Sequence, residues 1–202
     1  MHRPPVWLVD VDGVINTRRP LWGPDLRRGV ARADGVDWPI RWAPALITRM
    51  RRLYDAGLVE LRWCSTWCPD AAELERLFGL PPLGRALSPA ALAESLSTDA
   101  LKFAAARSVL AAGRRLVWTD DTAVPATTLT AGGRALLIRP HPRRGLRPSD
   151  LTTIETFARR HAFLSYPGDS VDGMTGIDHP ATRRLPPRRP GAGRRAPGAA
   201  QV

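Results

Sequence analysis

Two carboxylates separated by a single residue follow an apolar run near the start of the chain. Asp10 and Asp12 come after the apolar residues 6–9 and precede Gly13. On a strand, residues two apart face the same side, so these side chains converge if the backbone stays extended or turns tightly at Gly13. Two carboxylates held that close require a cation or a proton between them. The segment predicts a buried strand that ends in an acidic loop.

A second strand-like run, residues 58–67, carries two hydroxyl residues near its end, Ser65 and Thr66. A hydroxyl at the carboxyl end of a strand can donate a hydrogen bond to a phosphate oxygen. A Ser-Thr pair at this position is also common turn chemistry. The run therefore gives two candidates for one phosphate-binding hydroxyl.

Lys102 is the only lysine among the 30 basic residues of the chain. It lies in an Ala-rich stretch of strong helix propensity, which Ser97 or Thr98 is placed to cap and Gly113 to end. A single lysine in a chain that otherwise uses arginine indicates a site that needs a compact point charge on a flexible stem.

A third apolar run, within residues 115–122, ends at the paired acids Asp120 and Asp121. Adjacent carboxylates repel each other, so such a pair is uncommon as pure structure. We expect Asp120 to lie at a solvated strand end. In open parallel α/β sheets, ligands bind outside the carboxyl ends of the strands, so the acids and hydroxyls should gather in one crevice.

In chain order the pattern is acid-x-acid, hydroxyl, lysine and acid-acid, over residues 6–121. It resembles the four short signature motifs of the haloacid dehalogenase (HAD) superfamily, whose members are mostly magnesium-dependent phosphatases. The resemblance implies an α/β fold, a Rossmann-like three-layer sandwich with a mainly parallel central sheet. Residues 17–42 are too few for a large helical cap domain, and we expect them to form a flap or a hairpin beside an open site.

By this resemblance, Asp10 is the nucleophile that forms an aspartyl-phosphate, and Asp12 is the general acid and base. Ser65, or Thr66 in its place, and Lys102 bind the phosphoryl group. The implied magnesium ligands are Asp10, Asp12, Asp120 and Asp121.

The same residues suit phosphoryl transfer on chemical grounds, because that reaction asks a protein mainly for positioning and charge stabilisation. A carboxylate nucleophile divides hydrolysis into two steps, and a second carboxylate can protonate the leaving oxygen and then activate water. Mg²⁺ prefers oxygen ligands. We expect a magnesium-dependent phosphomonoester hydrolase with a phosphorylated substrate, most simply a small molecule.

Two other functions share parts of this pattern. A receiver domain of signalling type would place a lone phosphorylated Asp between the acid pair and the hydroxyl, and no such strand-ending Asp precedes Ser65. A non-catalytic or regulatory HAD-fold module, which binds a phosphorylated or polyanionic partner, would be expected to have lost Asp10 or Asp12. Both acids are present.

Four further elements are predicted to complete the domain. They are helices over residues 44–56, 69–78 and 150–163, and a strand over 135–139. Ser149 is placed to cap the last helix, whose apolar face carries Leu151, Ile154, Phe157 and Ala158.

The aromatic, sulfur and imidazole side chains are not needed for this chemistry. Three tryptophans fall inside predicted strands and should be core, whereas four lie in predicted loops, where we favour local packing over substrate contact. The first three are Trp7, Trp63 and Trp118, and the other four are Trp22, Trp38, Trp42 and Trp67. The two cysteines, Cys64 in a strand and Cys68 past its end, lack partners for a zinc site and should be reduced. The four histidines are scattered and are assigned no role.

Composition divides the 202 residues into a catalytic domain, 1–166, and a Pro-, Gly- and Arg-rich tail, 167–202, which should be disordered from about residue 180. The tail carries six of the arginines behind the formal net charge of +11. Such a tail can bind nucleic acid or another polyanion, but we favour a solvated tail. The sequence has no long apolar span, so we expect no membrane contact and a cytoplasmic location.

Overall fold

Seven β-strands and five α-helices make up the part of the chain that the computed structural model describes, residues 3–125 and 133–163. The strands are β1 (Val6–Val9), β2 (Arg27–Ala33), β3 (Val36–Trp42), β4 (Glu60–Trp63), β5 (Gly84–Arg85), β6 (Leu116–Thr119) and β7 (Ala135–Ile138). The helices are α1 (Pro44–Asp55), α2 (Ala71–Phe78), α3 (Pro89–Glu94), α4 (Thr98–Ala111) and α5 (Pro148–Phe163).

The central sheet has five strands in the order β5-β4-β1-β6-β7, and every neighbouring pair is parallel. Each residue of β1 and β6 is buried, as expected for a parallel sheet whose two faces are both covered. The chain moves outward from β1 to one edge and then returns to β6 on the other side. This reversal creates a switch point between β1 and β6, where α/β folds bind ligands. The predicted mixed α/β fold with a parallel sheet is confirmed.

A β-hairpin follows the loop after β1. Strands β2 and β3 pair antiparallel, and the chain turns at Asp34 and Gly35, which both have positive φ (51° and 76°). An Asp-Gly pair with two positive φ angles is typical of the tight turns that join hairpin strands. The amide N–H of Arg41 in β3 donates to the side chain of Asn16 (2.9 Å), which connects the hairpin to the acidic loop. The predicted hairpin within residues 17–42 is confirmed.

Helix α4 holds the single lysine where the sequence placed it. The Ser97 side chain accepts a hydrogen bond from the Ala100 amide (3.3 Å), so Ser97 rather than Thr98 caps the helix. The chain turns away at Gly113, where φ is +71°. Lys102 lies one turn into α4 and is buried.

The start of α5 differs from the prediction. The helix begins at Pro148, two residues before the expected start, so Ser149 lies in its first turn and is not the cap. Proline is favoured at the first helical position because its missing N–H would have no partner there. The Asp150 carboxylate accepts a hydrogen bond from the amide of Arg147 (2.8 Å) and closes this end of the helix. Three of the four predicted face residues are buried, and the fourth is partly buried.

The predicted core tryptophans are confirmed, because all three are fully buried in β1, β4 and β6. Both cysteines are free thiols, although β4 ends at Trp63, so Cys64 follows the strand and does not lie in it. Strand β5 and helix α3 had no counterpart in the prediction. Both are short: two residues and six residues.

The predicted tail, 167–202, lies outside the described residues, and its disorder and polyanion binding stay predictions. Within the described ranges, no helix combines the length and the apolar character that a membrane crossing requires.

Candidate active site

The loop after β1 carries Asp10 and turns sharply at Gly13. The amide of Val11 donates to Asp10 Oδ1 (2.8 Å), and the Val11 carbonyl accepts from the amide of Asn16 (2.9 Å). Gly13 has a φ of +72°, and a Cβ atom there would lie 2.1 Å from Oδ2 of Asp121. Only glycine fits this position, because it tolerates positive φ and leaves room for the neighbouring carboxylate.

Lys102 joins two carboxylates from neighbouring strands. Its Nζ atom donates to Asp10 Oδ2 (2.6 Å) and to Asp120 Oδ2 (2.8 Å). All three residues are at least 95% buried. The side chains come from the end of β1, from α4 and from the end of β6, so three segments far apart in sequence meet at the switch point.

The expectation that Asp120 is solvated is wrong, because its exposed fraction is 0%. The segment after β6 folds back over it, and its Oδ1 atom accepts hydrogen bonds from the amides of Thr122 (2.9 Å) and Ala123 (2.7 Å). With Lys102 on the other oxygen, both oxygens of this carboxylate already have donors. Asp120 is therefore held rigidly.

The two carboxylates of this buried group have opposite pKa shifts. Burial raises the pKa of Asp10 to about 7, an effect that Lys102 opposes and Asp120 reinforces. Burial also acts on Asp120, but the hydrogen bonds and charge of Lys102 and the two backbone amides outweigh it and lower its pKa. For Lys102, burial is outweighed by the charge of Asp10 and the hydrogen bonds, which raise its pKa. Lys102 is thus fully charged at neutral pH.

The two hydroxyl candidates occupy different places. Ser65 is buried just beyond β4, and a hydrogen bond with its side chain contributes to lowering the pKa of Asp10 against the effect of burial. Thr66 is exposed and lines a cavity beside Asp12. The Ser65 hydroxyl therefore lies at the buried carboxylate, and the Thr66 hydroxyl lies farther out.

Three carboxylates lie close enough to hold one metal ion. One oxygen from each of Asp10, Asp120 and Asp121 lies within 4.8 Å of the other two. Burial and the charge of Asp120 raise the pKa of Asp121, and the charge of Lys102 opposes this rise only in part. Excess negative charge on clustered carboxylate oxygens fits a hard divalent cation such as Mg²⁺.

The Asp12 carboxylate is not a member of this group of three and is exposed. Its Oδ1 accepts a hydrogen bond from Asn16 Nδ2 (2.7 Å), and its Oδ2 accepts one from Trp67 Nε1 (2.9 Å). These two donors fix the orientation of the side chain. The acid-x-acid pattern therefore supplies one buried and one exposed carboxylate.

A cavity of about 320 Å³ lies beside Asp12. One wall comes from the hairpin, including Asp34 and Trp38, and another comes from Thr66 and Trp67 after β4. Trp38 is half exposed, with 50% of its surface accessible. The hairpin thus forms part of the site.

The four remaining tryptophans divide into two pairs. Trp22 and Trp42 pack against other parts of the protein, as predicted. Trp22 donates to the Leu146 carbonyl (2.6 Å), and the Trp42 ring lies 5.3 Å from that of Phe78. Trp38 and Trp67 line the cavity beside Asp12. Trp38 and Trp42 belong to strand β3, so their assignment to loops is wrong.

Sequence reasoning overlooked Asn16 as a site residue and did not connect Trp67 with Asp12. Asn16 follows Asp12 by four residues in a tight loop, so its proximity was a signal that could have been used. The bond from Trp67 spans 55 residues and has no local signal. Cys64 is fully buried, and burial raises the pKa of its thiol well above the ordinary range, which disfavours the thiolate.

Comparison with known proteins gives no assignment, because no family model matches the chain and no curated protein matches it significantly.

Proposed function

We propose that the chain is a magnesium-dependent phosphomonoester hydrolase of the HAD superfamily, which acts through an aspartyl-phosphate on Asp10. The observation that carries the proposal is the position of Lys102 Nζ, 2.6 Å from Asp10 and 2.8 Å from Asp120, next to a third carboxylate at the carboxyl edge of the sheet. A structural ion pair needs one carboxylate for each lysine. Two carboxylates on one lysine, with a third within 4.8 Å of both, favour a site that binds a cation and a phosphate.

In the first step, a carboxylate oxygen of Asp10 forms a bond to phosphorus while the bond from phosphorus to the leaving oxygen breaks. Asp12 donates a proton to that leaving oxygen. Lys102 orients Asp10 through the 2.6 Å hydrogen bond, and its charge stabilises the negative charge that surrounds the transferring group. The Ser65 hydroxyl can donate to a phosphoryl oxygen.

In the second step, Asp12 takes a proton from water as the water oxygen attacks phosphorus. The bond between phosphorus and Asp10 breaks, which releases inorganic phosphate and restores the carboxylate. Asn16 and Trp67 hold Asp12 in one orientation for both proton transfers. The cavity between Trp38 and Trp67 provides space for the leaving group.

Asp10, Asp120 and Asp121 would hold the magnesium ion. When bound, the ion neutralises charge on the phosphoryl oxygens and on the clustered carboxylates. The Asp121 carboxylate would be the most available of the three as a metal ligand, because described donors already bond both oxygens of Asp10 and both oxygens of Asp120. The place of Gly13 against Asp121 keeps the backbone of the acidic loop close to the same carboxylate.

The proposal is tested by phosphate release from a generic aryl phosphate, measured with Mg²⁺ and after exhaustive chelation. We expect release that requires the divalent cation and returns when Mg²⁺ is restored. Unchanged turnover after chelation would contradict the metal requirement. Tight binding of phosphate esters with no release from a broad panel would favour the non-catalytic module instead.

Asp12→Asn should lower kcat by about 10²- to 10⁴-fold, because the substitution keeps the shape of the side chain and removes its proton transfer. Asp37→Asn on the exposed side of the hairpin is a matched control and should keep the parental rate. Steady-state kinetics on one aryl phosphate compares the three proteins. A rate for Asp12→Asn within a few-fold of the parent would show that Asp12 is not the acid and base.

A further inference from the structure

A second cavity, of about 590 Å³, adjoins the proposed active site and is rich in arginine. Its basic lining residues are Arg18, Arg41 and Arg143, and we call it the arginine pocket. Backbone hydrogen bonds join the three segments: Thr17 N–H donates to the Arg41 carbonyl (3.2 Å), and Arg19 N–H donates to the Arg143 carbonyl (2.9 Å). The pocket is thus built from the acidic loop, the hairpin and the segment after β7.

The three guanidinium groups lack acidic partners among the described residues, and no described residue that lines the pocket is acidic. Some arginines elsewhere in the described residues form ion pairs, such as Arg114 with Glu60 at 2.6 Å. Three like charges facing one concave space repel each other, and an anion in that space would offset the repulsion. Guanidinium groups bind phosphate and carboxylate particularly well, because both can accept two parallel hydrogen bonds.

Thr17 also lines the arginine pocket, and only 4% of its surface is exposed. Its Oγ1 atom has no hydrogen-bond partner among the described residues and almost no accessible surface of its own. The side chain would have to rotate for this hydroxyl to donate to an anion in the pocket, so the three arginines carry the inference.

Asn16 connects the arginine pocket with the proposed active site. Asn16 and Pro39 line both cavities. The Asn16 amide group donates to Asp12 (2.7 Å), and its carbonyl oxygen accepts from the amide of Arg41 (2.9 Å). One side chain thus lies between the acid that serves the leaving group and the arginine pocket, and the two cavities are neighbours that share part of their walls.

We propose that the arginine pocket binds a second anionic group of the substrate, so that the preferred substrates are small phosphomonoesters with an additional phosphate or carboxylate. This inference rests on the proposed hydrolase function, since it assigns the leaving group of the same reaction. The leaving group crosses the cavity beside Asp12 and places its anionic end among Arg18, Arg41 and Arg143.

The test compares three esters of the same chain length: a short-chain diol monophosphate, the matching diol bisphosphate and the matching phosphorylated hydroxy acid. The proteins are the parent, Arg41→Gln, Arg143→Gln and the control Arg107→Gln, whose arginine is exposed on α4. In the parent we expect kcat/KM for at least one of the two esters with a second anionic group to exceed that for the monophosphate by about 10-fold or more. The ester with the larger advantage distinguishes phosphate from carboxylate.

In Arg41→Gln and Arg143→Gln, the ratio of kcat/KM for that ester to kcat/KM for the monophosphate should fall towards 1. In Arg107→Gln the ratio should stay at the parental value. Equal kcat/KM for all three esters, in the parent and the variants alike, would overturn the inference and leave the hydrolase function intact. Failure of the hydrolase function gives a different result, because no ester is then cleaved by the parent.

Calorimetric binding of the diol bisphosphate to the full-length Asp10→Asn protein tests the pocket without turnover. We expect Arg143→Gln in that background to raise Kd by about 10-fold. An unchanged Kd would overturn the inference, whatever the turnover.

Discussion

Asp10→Asn is expected to abolish phosphate release, with a loss in kcat on the order of 10⁶, the scale seen when a hydrolase loses its nucleophile. An amide oxygen is a poor nucleophile towards phosphorus, although it keeps the shape of the carboxylate and can still accept a hydrogen bond. The measurement is turnover of an aryl phosphate at saturating Mg²⁺. The exposed Asp37→Asn serves again as the matched control.

The same variant should fold with a Tm no lower than that of the parent. Burial raises the pKa of Asp10 to about 7, so the fold favours the neutral form of this side chain. For a group whose pKa is raised by folding, the stabilising contribution is present at low pH and is lost as the pH rises through the folded value. Without divalent cations, the contribution of Asp10 should therefore lower the parental Tm as the pH rises from about 4 to about 7, and this fall should be smaller in Asp10→Asn. Near-parental turnover in a folded Asp10→Asn protein would contradict the assignment of the nucleophile.

Lys102→Met is expected to cost about 3–5 kcal/mol in the free energy of unfolding, and to abolish turnover as well. The substitution keeps the unbranched apolar stem of the side chain but leaves the buried carboxylates of Asp10 and Asp120 without their shared cation. Urea unfolding without Mg²⁺ measures the loss. Added Mg²⁺ should restore part of the stability, because a cation bound only to the folded state stabilises it.

Two further variants separate this effect from a general change in α4. Arg107→Met on the same helix is exposed and should change the free energy of unfolding by no more than about 0.5 kcal/mol. The double variant Lys102→Met with Asp10→Asn should recover part of the loss, because it carries one buried charge fewer. A Lys102→Met protein as stable as the Arg107→Met protein would contradict the electrostatic account of this site.

The buried part of the site was predictable because it follows from strand order. Asp10, Ser65 and Asp120 each come just after a strand-like run, and parallel strands present their carboxyl ends at one edge of the sheet. Lys102 could be singled out by composition alone, since it is the only lysine. The alternation and helix signals also placed α1, α4 and β7 within one or two residues.

The exposed part of the site could not be predicted in the same way. The contact between Trp67 and Asp12 depends on how the loop after β4 packs against the acidic loop. The two residues are 55 positions apart, and no local sequence pattern predicts that they meet. The burial of Asp120 depends on the amides of the following turn. The arginine pocket joins residues 18, 41 and 143, whose charges in a chain rich in arginine gave no sign that they meet.

Short elements escaped prediction for a related reason. Strand β5 has two residues, which is too short a segment to show an alternating pattern of apolar and polar residues. Its place in the sheet depends on pairing with β4. The sequence allows two starts for α5, because Pro148 suits the first helical position and Ser149 suits the N-cap. The helix begins at Pro148. Tertiary pairing and capping decided these boundaries.

Chemical trapping of the covalent intermediate tests the central claim most directly. An acyl phosphate on an aspartate is reduced by borohydride to homoserine, whereas a free carboxylate is not reduced. Asp12→Asn protein, in which hydrolysis of the intermediate should be slow, is mixed with an aryl phosphate and Mg²⁺, quenched and reduced, and its peptides are analysed by mass spectrometry. We expect homoserine at position 10 only when the phosphate ester is present. Phosphate release by the parent, with no homoserine at position 10 in either protein, would contradict a mechanism that proceeds through Asp10.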